Sequence, residues 1–328
     1  MKPTRSSFLA ALAFGLVAAG AARAQESVVL KLSHEAPETQ IKGRTALYFA
    51  EKVKEYSNGT LRVEVFPSAS LIPTKDEVRA VIRGQVDIIA PQTSYYTPFN
   101  AAWDVFYQPL LFNSAKEGMD TLAGDLGREL LGTLDKVGLK GMGIWHDGPG
   151  YVYLKDKPPT KPEDLKGRKI RLFPSAPLEE GVRAAGGIPV SVPAPDVYLG
   201  LQQGMIEGVI SAVTFAAPSR WYEVVKGATR MTMFVGGYGV AINKNRWDKL
   251  SPEHKDALQR AMKDAEKWNY DQSVDNIAAS EKLLVDNGVT LADLSAEELA
   301  EWRTLMTPIY ERQPAEVREL IKRVQSKK

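Results

Sequence analysis

Residues 28–33, VVLKLS, alternate apolar and polar positions and stop at His34-Glu35. That period of two is the pattern of a half-buried strand. From 41 to 57 the period changes, with Ala46, Phe49, Ala50 and Val53 recurring at helical spacing. Asn58-Gly59 stops this helix, and LRVEVFP returns to strict alternation. Thr74-Lys75-Asp76-Glu77 reads as a capping box opening a helix to Gly84, and VDIIAP follows as a buried strand. Ser114 and Glu117 make a second capping box, ahead of helical sequence ending near Gly138. Strands and helices alternate, which predicts an α/β protein with largely parallel sheets.

Two stretches repeat one pattern. Val81-Ile82-Arg83-Gly84-Gln85-Val86-Asp87 aligns with Leu201-Gln202-Gln203-Gly204-Met205-Ile206-Glu207. In both, a helix ends on a glycine suited to a left-handed cap and a strand begins at once. Any helix–glycine–strand junction has this look; the favoured reading is two similar α/β lobes facing one another. Ser251-Pro252 then opens a helix with a cap and an N1 proline, and no glycine or further proline interrupts it until Gly288. A helix so far beyond the usual length of about 11–12 residues must lie along more than one lobe. Ser295-Ala296-Glu297-Glu298 starts the closing helices. No low-complexity linker divides the chain, so ordered crossing strands are expected to join the lobes.

Charge changes the picture at the N-terminus. Lys2 and Arg5 precede the apolar run FLAALAFGLVAA, and Ala22-Arg23-Ala24 supplies small residues at the two positions a signal peptidase reads. Residues 1–24 are therefore expected to be a cleavable signal peptide, cut after Ala24. The run is short for a membrane span, and no cysteine follows Ala24 to carry a lipid. Without those residues 39 basic side chains face 40 acidic ones, so the whole-chain pI of 8.5 misleads. Nothing in that balance points to nucleic acid or a polybasic membrane surface. The absence of cysteine excludes disulfides and cysteine-based metal or nucleophile sites. No GxSxG, HExxH, P-loop or GxGxxG is present, and the histidines are His34, His146 and His254. His34 and His146 fall at expected strand ends, where α/β proteins place ligand contacts, though packing is the plainer role for either. His254 reads as solvated.

Residues 164–175, DLKGRKIRLFPS, set Arg171 between Ile170 and Leu172 in a strand that looks buried. A buried guanidinium is costly unless an anion meets it. This stretch, GGIPVSVP and DVYLGLQQGMIEGVIS form one ordered series with LSHEAPETQIKG, LIPTKDEVRAVIRGQVDI, WYEVVKGATRM and VAINKNRWDKLSPEHKDAL. Together they resemble the substrate-binding proteins of TRAP transporters, the DctP-like family, over essentially the whole mature chain. The resemblance implies an α/β, two-lobed periplasmic binding protein fold with crossing strands and a long helix spanning both lobes. It implies hinge closure on a ligand and delivery to large and small TRAP membrane subunits, from a monomer, with no cofactor and no catalysis. Its expected divisions are 25–148 and 237–276 in the first lobe, 149–236 in the second, and 277–328 as C-terminal helices packing on the second. Arg171 matches the family's carboxylate-binding arginine, so the expected anion is the ligand's; an internal salt bridge is the alternative.

The chain departs from its family at two places. Ser211, in Glu207-Gly208-Val209-Ile210-Ser211-Ala212, stands where many relatives carry a ligand-touching asparagine. Tyr151 stands where some sugar-acid binders carry a second arginine. Aromatic residues expected around the cleft are Tyr95, Tyr96, Trp145, Tyr151, Phe173, Phe215, Trp221 and Tyr238, about half of them as core. With Arg171, Ser211 and His34, all of these except Trp221 supply the candidate ligand contacts. The expected ligand is an aromatic or compact apolar monocarboxylate, such as phenylglyoxylate, mandelate or a hydroxycinnamate. A lactate- or pantoate-like acid is the alternative, and a ligand sensor or an exported enzyme are the alternative roles.

Overall fold

The structure, a computed structural model, describes residues 27–327; the expected signal peptide and its cleavage site lie outside them. The alternating residues Val28–Ser33 form β1, the helical pattern after them gives α1 (Ile41–Tyr56), and Leu61–Phe66 is β2. Helix α2 (Glu77–Ile82) and the short β3 (Ile88–Ile89) complete this first unit. Helices α3 (Ala115–Ala123) and α4 (Asp125–Thr133) lead to the 16-residue strand β4 (Leu139–Leu154). A second unit follows: β5 (Lys169–Leu172), α5 (Ala176–Ala184), β6 (Ile188–Ser191), α6 (Val197–Gln202) and β7 (Gly208–Ala212). The chain continues through α7 (Val213–Ala216), β8 (Gly227–Arg230), β9 (Val235–Asn243) and α8 (Lys244–Asp248). It ends with the 35-residue α9 (Pro252–Asp286), β10 (Thr290–Asp293), α10 (Ala296–Glu311) and α11 (Ala315–Gln325).

The strands lie in the order β2-β1-β3-β9-β4-β7-β5-β6, with β8 on β4 and β10 on β8. Strand β4 joins the two halves. Its residues Leu139 to Pro149 pair with β9, and Gly150 to Leu154 pair with β7. The outer wings are parallel, β1 with β2 and β3, and β5 with β6 and β7. The centre is antiparallel, because β4 runs against β7, β8 and β9, and β9 against β3. The expectation of largely parallel sheets thus describes the wings; strands that carry the chain across and back must oppose each other.

The repeat is structural. Gly84 and Gly204 share a left-handed φ of 73°, and the turn before each short helix starts after a proline, Pro73 or Pro193. Ser33 of β1 lies opposite Ile89, and Arg171 of β5 opposite Val209. Arg171 therefore holds in the second unit the place Ser33 holds in the first. The capping box at 74–77 does not form. Glu77 is fully buried, and its Oε1 accepts the Ser33 hydroxyl at 3.1 Å. The other caps form: Ser114 accepts from the Glu117 N–H, Ser251 from His254, and Ser295 and Glu298 cap α10 reciprocally.

Helix α9 packs by its first half on α1 and β4 and by its second on α7 and β10, so it braces both lobes. Residue 277 falls inside it. Helix α10 lies on α5, while α11 reaches back to the turn at 101–107 and joins α4 through Arg323 and Glu129, 2.7 Å apart. Among the described residues no helix is long and apolar enough to cross a membrane.

Candidate functional site

Burial of Arg171 follows from its strand. Parallel pairing of β5 with β6 on one side and β7 on the other leaves its side chain 3% exposed. Its Nε–H donates to the Val192 carbonyl at 2.8 Å. No carboxylate among the described residues lies within ion-pair distance of it, whereas Arg168, just before the strand, is paired with Asp156 at 2.7 Å. Burial pushes the Arg171 guanidinium down to about 10, with Tyr95 and Glu35 pulling the other way. Arg171 is thus a charge with no ion-pair partner among the described residues.

It faces a cavity of about 30 Å³ lined by Glu35, Thr74, Gln92, Tyr95, Asp147, Phe173, Ala194, Ser211, Phe215 and Tyr238. The wall draws on both repeat units and the crossing strands. Thr74 and Ala194 occupy the same place in the two units, each just after the proline that starts the turn. A larger groove of about 980 Å³ runs between the 162–165 turn and α10, but it is open, and its lining charges such as Lys166 and Glu301 are solvated. A charge held without a partner points to the smaller cavity.

Besides Arg171 the wall carries two carboxylates, Glu35 and Asp147, alongside the hydroxyls of Thr74, Tyr95, Ser211 and Tyr238 and the amide of Gln92. Asp147 takes hydrogen bonds from Gln92 Nε2 at 3.0 Å and from the Thr214 hydroxyl at 2.9 Å. Burial pushes its carboxyl up to about 6, with Tyr238 and Thr214 opposing the shift. Glu35 is ion-paired with Lys42, a fully buried lysine whose Nζ also sits 3.9 Å from the centroid of the Tyr238 ring. Behind them burial holds Glu77 well above the usual carboxylate range, and the neighbouring Glu35 adds to this. A wall of this kind can bind an anion at one point and donors at others. It assembles no nucleophile with a base.

Six of the expected ligand contacts share this cavity: Arg171, Phe173, Tyr95, Ser211, Phe215 and Tyr238. Four others lie off its wall, and three of them have found partners elsewhere. Trp145 packs on Phe49 with ring centroids 6.1 Å apart. Tyr96 donates to the Gly239 carbonyl at 2.7 Å, and Tyr151 to Glu281 of α9 at 2.6 Å. His34 is wholly buried and pushed down to about 3 by burial and by Lys42. Trp221 lies under Phe215 and Tyr153, and His146 packs edge-on against Tyr270.

Sequence reasoning missed Glu35, Thr74, Gln92, Asp147 and Ala194. Glu35 follows His34 just past the end of β1, whereas Asp147 follows His146 in the middle of β4, so the strand end expected at His146 does not occur and its neighbour lines the site instead. Thr74 was assigned to a cap. Nothing in the local pattern distinguishes Gln92.

The sequence matches the family of bacterial extracellular solute-binding proteins, family 7, over residues 32–316. The C4-dicarboxylate-binding periplasmic protein DctP of Rhodobacter capsulatus is 32% identical over 291 residues, covering 87% of this chain and 86% of that protein. The C4-dicarboxylate-binding protein DctB of Bacillus subtilis is 30% identical over 304 residues, covering 91% and 86%. A TRAP periplasmic solute-binding protein of Sulfurospirillum deleyianum, solved with bound succinate, has the same architecture. Its TM-score is 0.86 at 27% identity, covering 92% of this chain and 99% of that one. With the unpaired arginine in its β5 strand, the two-lobed fold and these matches, the chain belongs to bacterial extracellular solute-binding protein family 7, as a DctP-like TRAP solute-binding protein.

Proposed function

We propose that this protein captures a small organic monocarboxylate in the periplasm through Arg171 and delivers it to the large and small membrane subunits of a TRAP transporter. The observation that carries the reading is Arg171 itself, buried on a cavity wall with no ion-pair partner among the described residues. A planar guanidinium offers two parallel donors to a carboxylate, fixing orientation as well as charge. The expected signal peptide and the periplasmic relatives support the compartment.

Relatives named for C4-dicarboxylates make a dicarboxylate the natural comparison. Against it, Arg171 is the only cation among the lining residues, and two of the others, Glu35 and Asp147, are acids. Lys42 is committed to Glu35. A second ligand carboxylate would therefore meet like charge in a poorly hydrated site. Tyr95, Phe173, Phe215 and Tyr238 favour an apolar or aromatic body, of the phenylglyoxylate, mandelate or hydroxycinnamate kind. The cavity volume of about 30 Å³ favours a second reading, a compact acid of the lactate or pantoate kind.

Calorimetry with a panel of mono- and dicarboxylates tests the proposal. Arg171→Ala should weaken binding by two to four decades, as when one partner of a desolvated pair is removed at a cost of roughly 3–5 kcal/mol. Arg171→Lys should also bind poorly, since a point charge cannot reproduce the fork. Either variant binding within a few-fold of the parent would refute the role of Arg171. Tight binding of succinate with none of any monoacid would refute the ligand class.

A further inference from the structure

We infer that the ligand carries a hydrogen-bond donor besides its carboxylate, a hydroxyl or an ammonium, and that Gln92 with Asp147 reads it. This rests on the carboxylate reading and narrows it.

Gln92 lines the cavity, is 7% exposed, and is held beside β9 by a bridge to Tyr238. Its amide orientation follows from its neighbour. Asp147 is an acceptor, and it already takes the Thr214 hydroxyl on Oδ1, so the group Gln92 turns toward Oδ2 is its NH2, at 3.0 Å. Gly236 leaves room for this arrangement, since a Cβ there would come within 3.0 Å of Gln92 Nε2. The consequence is that Gln92 Oε1 is buried with no hydrogen-bond partner. Turning the amide over would set that oxygen against the Asp147 carboxylate.

An unpaired buried acceptor is costly, and a ligand donor is the group that removes the cost. The other acids on the wall favour the same chemistry, because Glu35 and Asp147 also accept. At the corner formed by Gln92 Oε1 and Asp147, away from the hydroxyls of Thr74, Tyr95 and Ser211, an oxo group would bring an acceptor toward acceptors, and a bare methylene would leave Oε1 unsatisfied. The wall thus discriminates by hydrogen-bond polarity: sites that pair a ligand hydroxyl or amine reject analogues lacking it.

Two matched series, titrated calorimetrically into the mature protein, provide the test: lactate, alanine, pyruvate and propionate, then mandelate, phenylglycine, phenylglyoxylate and phenylacetate. In whichever series fits the cavity, a donor-bearing member should bind roughly tenfold to hundredfold tighter than its oxo and deoxy counterparts. Gln92→Met should narrow that gap, chiefly by weakening the donor-bearing member. Should Gln92→Met fail to fold, Gln92→Glu serves instead and should shift preference toward the ammonium member. Oxo or deoxy acids binding as tightly as their donor-bearing counterparts, with binding still lost in Arg171→Ala, would overturn this inference alone. Loss of affinity shared equally by all members in either Gln92 variant would overturn it too. If no member binds, or binding ignores Arg171→Ala, the carboxylate reading fails and this inference with it.

Discussion

Lys42 has no exposed surface, yet lysine is among the residues least often buried. It is held by Glu35 and by the face of the Tyr238 ring, in a site that also contains the buried Glu77. Its position was readable, because Lys42, Ala46, Phe49 and Val53 continue a single helical stripe, although the charge argued for solvent. Removing it alone would leave Glu35 uncompensated. Lys42→Met should therefore cost roughly 3–5 kcal/mol in urea unfolding, and Lys42→Met with Glu35→Gln should recover much of that loss. Strictly additive effects of the two substitutions would show that the pair is not coupled.

At the level of elements, β4 and α9 solve a problem together. Over Leu139 to Pro149 strand β4 pairs with β9 alone, since β7 joins it only from Gly150, so its other edge carries backbone donors without sheet partners. Helix α9 supplies the acceptors. Glu266 takes the Ile144 N–H at 2.7 Å, and Asn269 takes the His146 N–H while donating to Thr45 of α1 at 3.0 Å. Gly143 is required here, since a Cβ would lie 2.6 Å from Glu266 Oε1 and 2.7 Å from Met262 Cγ. Burial pushes Glu266 up to about 7 from 4.5. The folded state then holds this proton more tightly than the unfolded one, so this contribution to stability is lost as pH rises from 4.5 through 7. Glu266→Gln keeps an acceptor for Ile144 and removes the titration. Relative to wild type it should gain up to about 3 kcal/mol between pH 5 and pH 8 in denaturant unfolding. An equal difference at both values would show that the carboxyl does not titrate there. The length of α9 was legible from its cap and its unbroken pattern; its latching role depends on which edge of β4 the other strands leave open, which no local pattern reports.

Across the whole molecule, a cavity of about 30 Å³ with a buried arginine on its wall admits an acid only if the lobes part. The crossing strands β4 and β9 are the elements about which they would turn. A ligand that binds the closed form better should shift the balance toward it by that difference in affinity. Solution scattering should accordingly give a smaller radius of gyration at saturating ligand. An unchanged profile would mean a rigid pocket.

Sequence alone determined what local physics decides. Periodicity set the type of most elements, Ser251-Pro252 and Ser295 set helix starts, and Gly84 and Gly204 set the left-handed ends of the two matching helices, since each depends on near neighbours in the chain. Arg171 was legible for the same reason, as a charge in a short apolar strand. Only the tertiary structure decided its company. Glu35, Gln92, Asp147, Ser211 and Tyr238 are far apart in the chain and meet because β4 and β9 bring the two units together. Which aromatic rings face the cavity was settled likewise: Trp145 and Tyr96 found core partners first, while Phe173 and Phe215 reached the wall. A ring's burial is favourable against either surface, so its sequence position does not choose between them; packing of the lobes does.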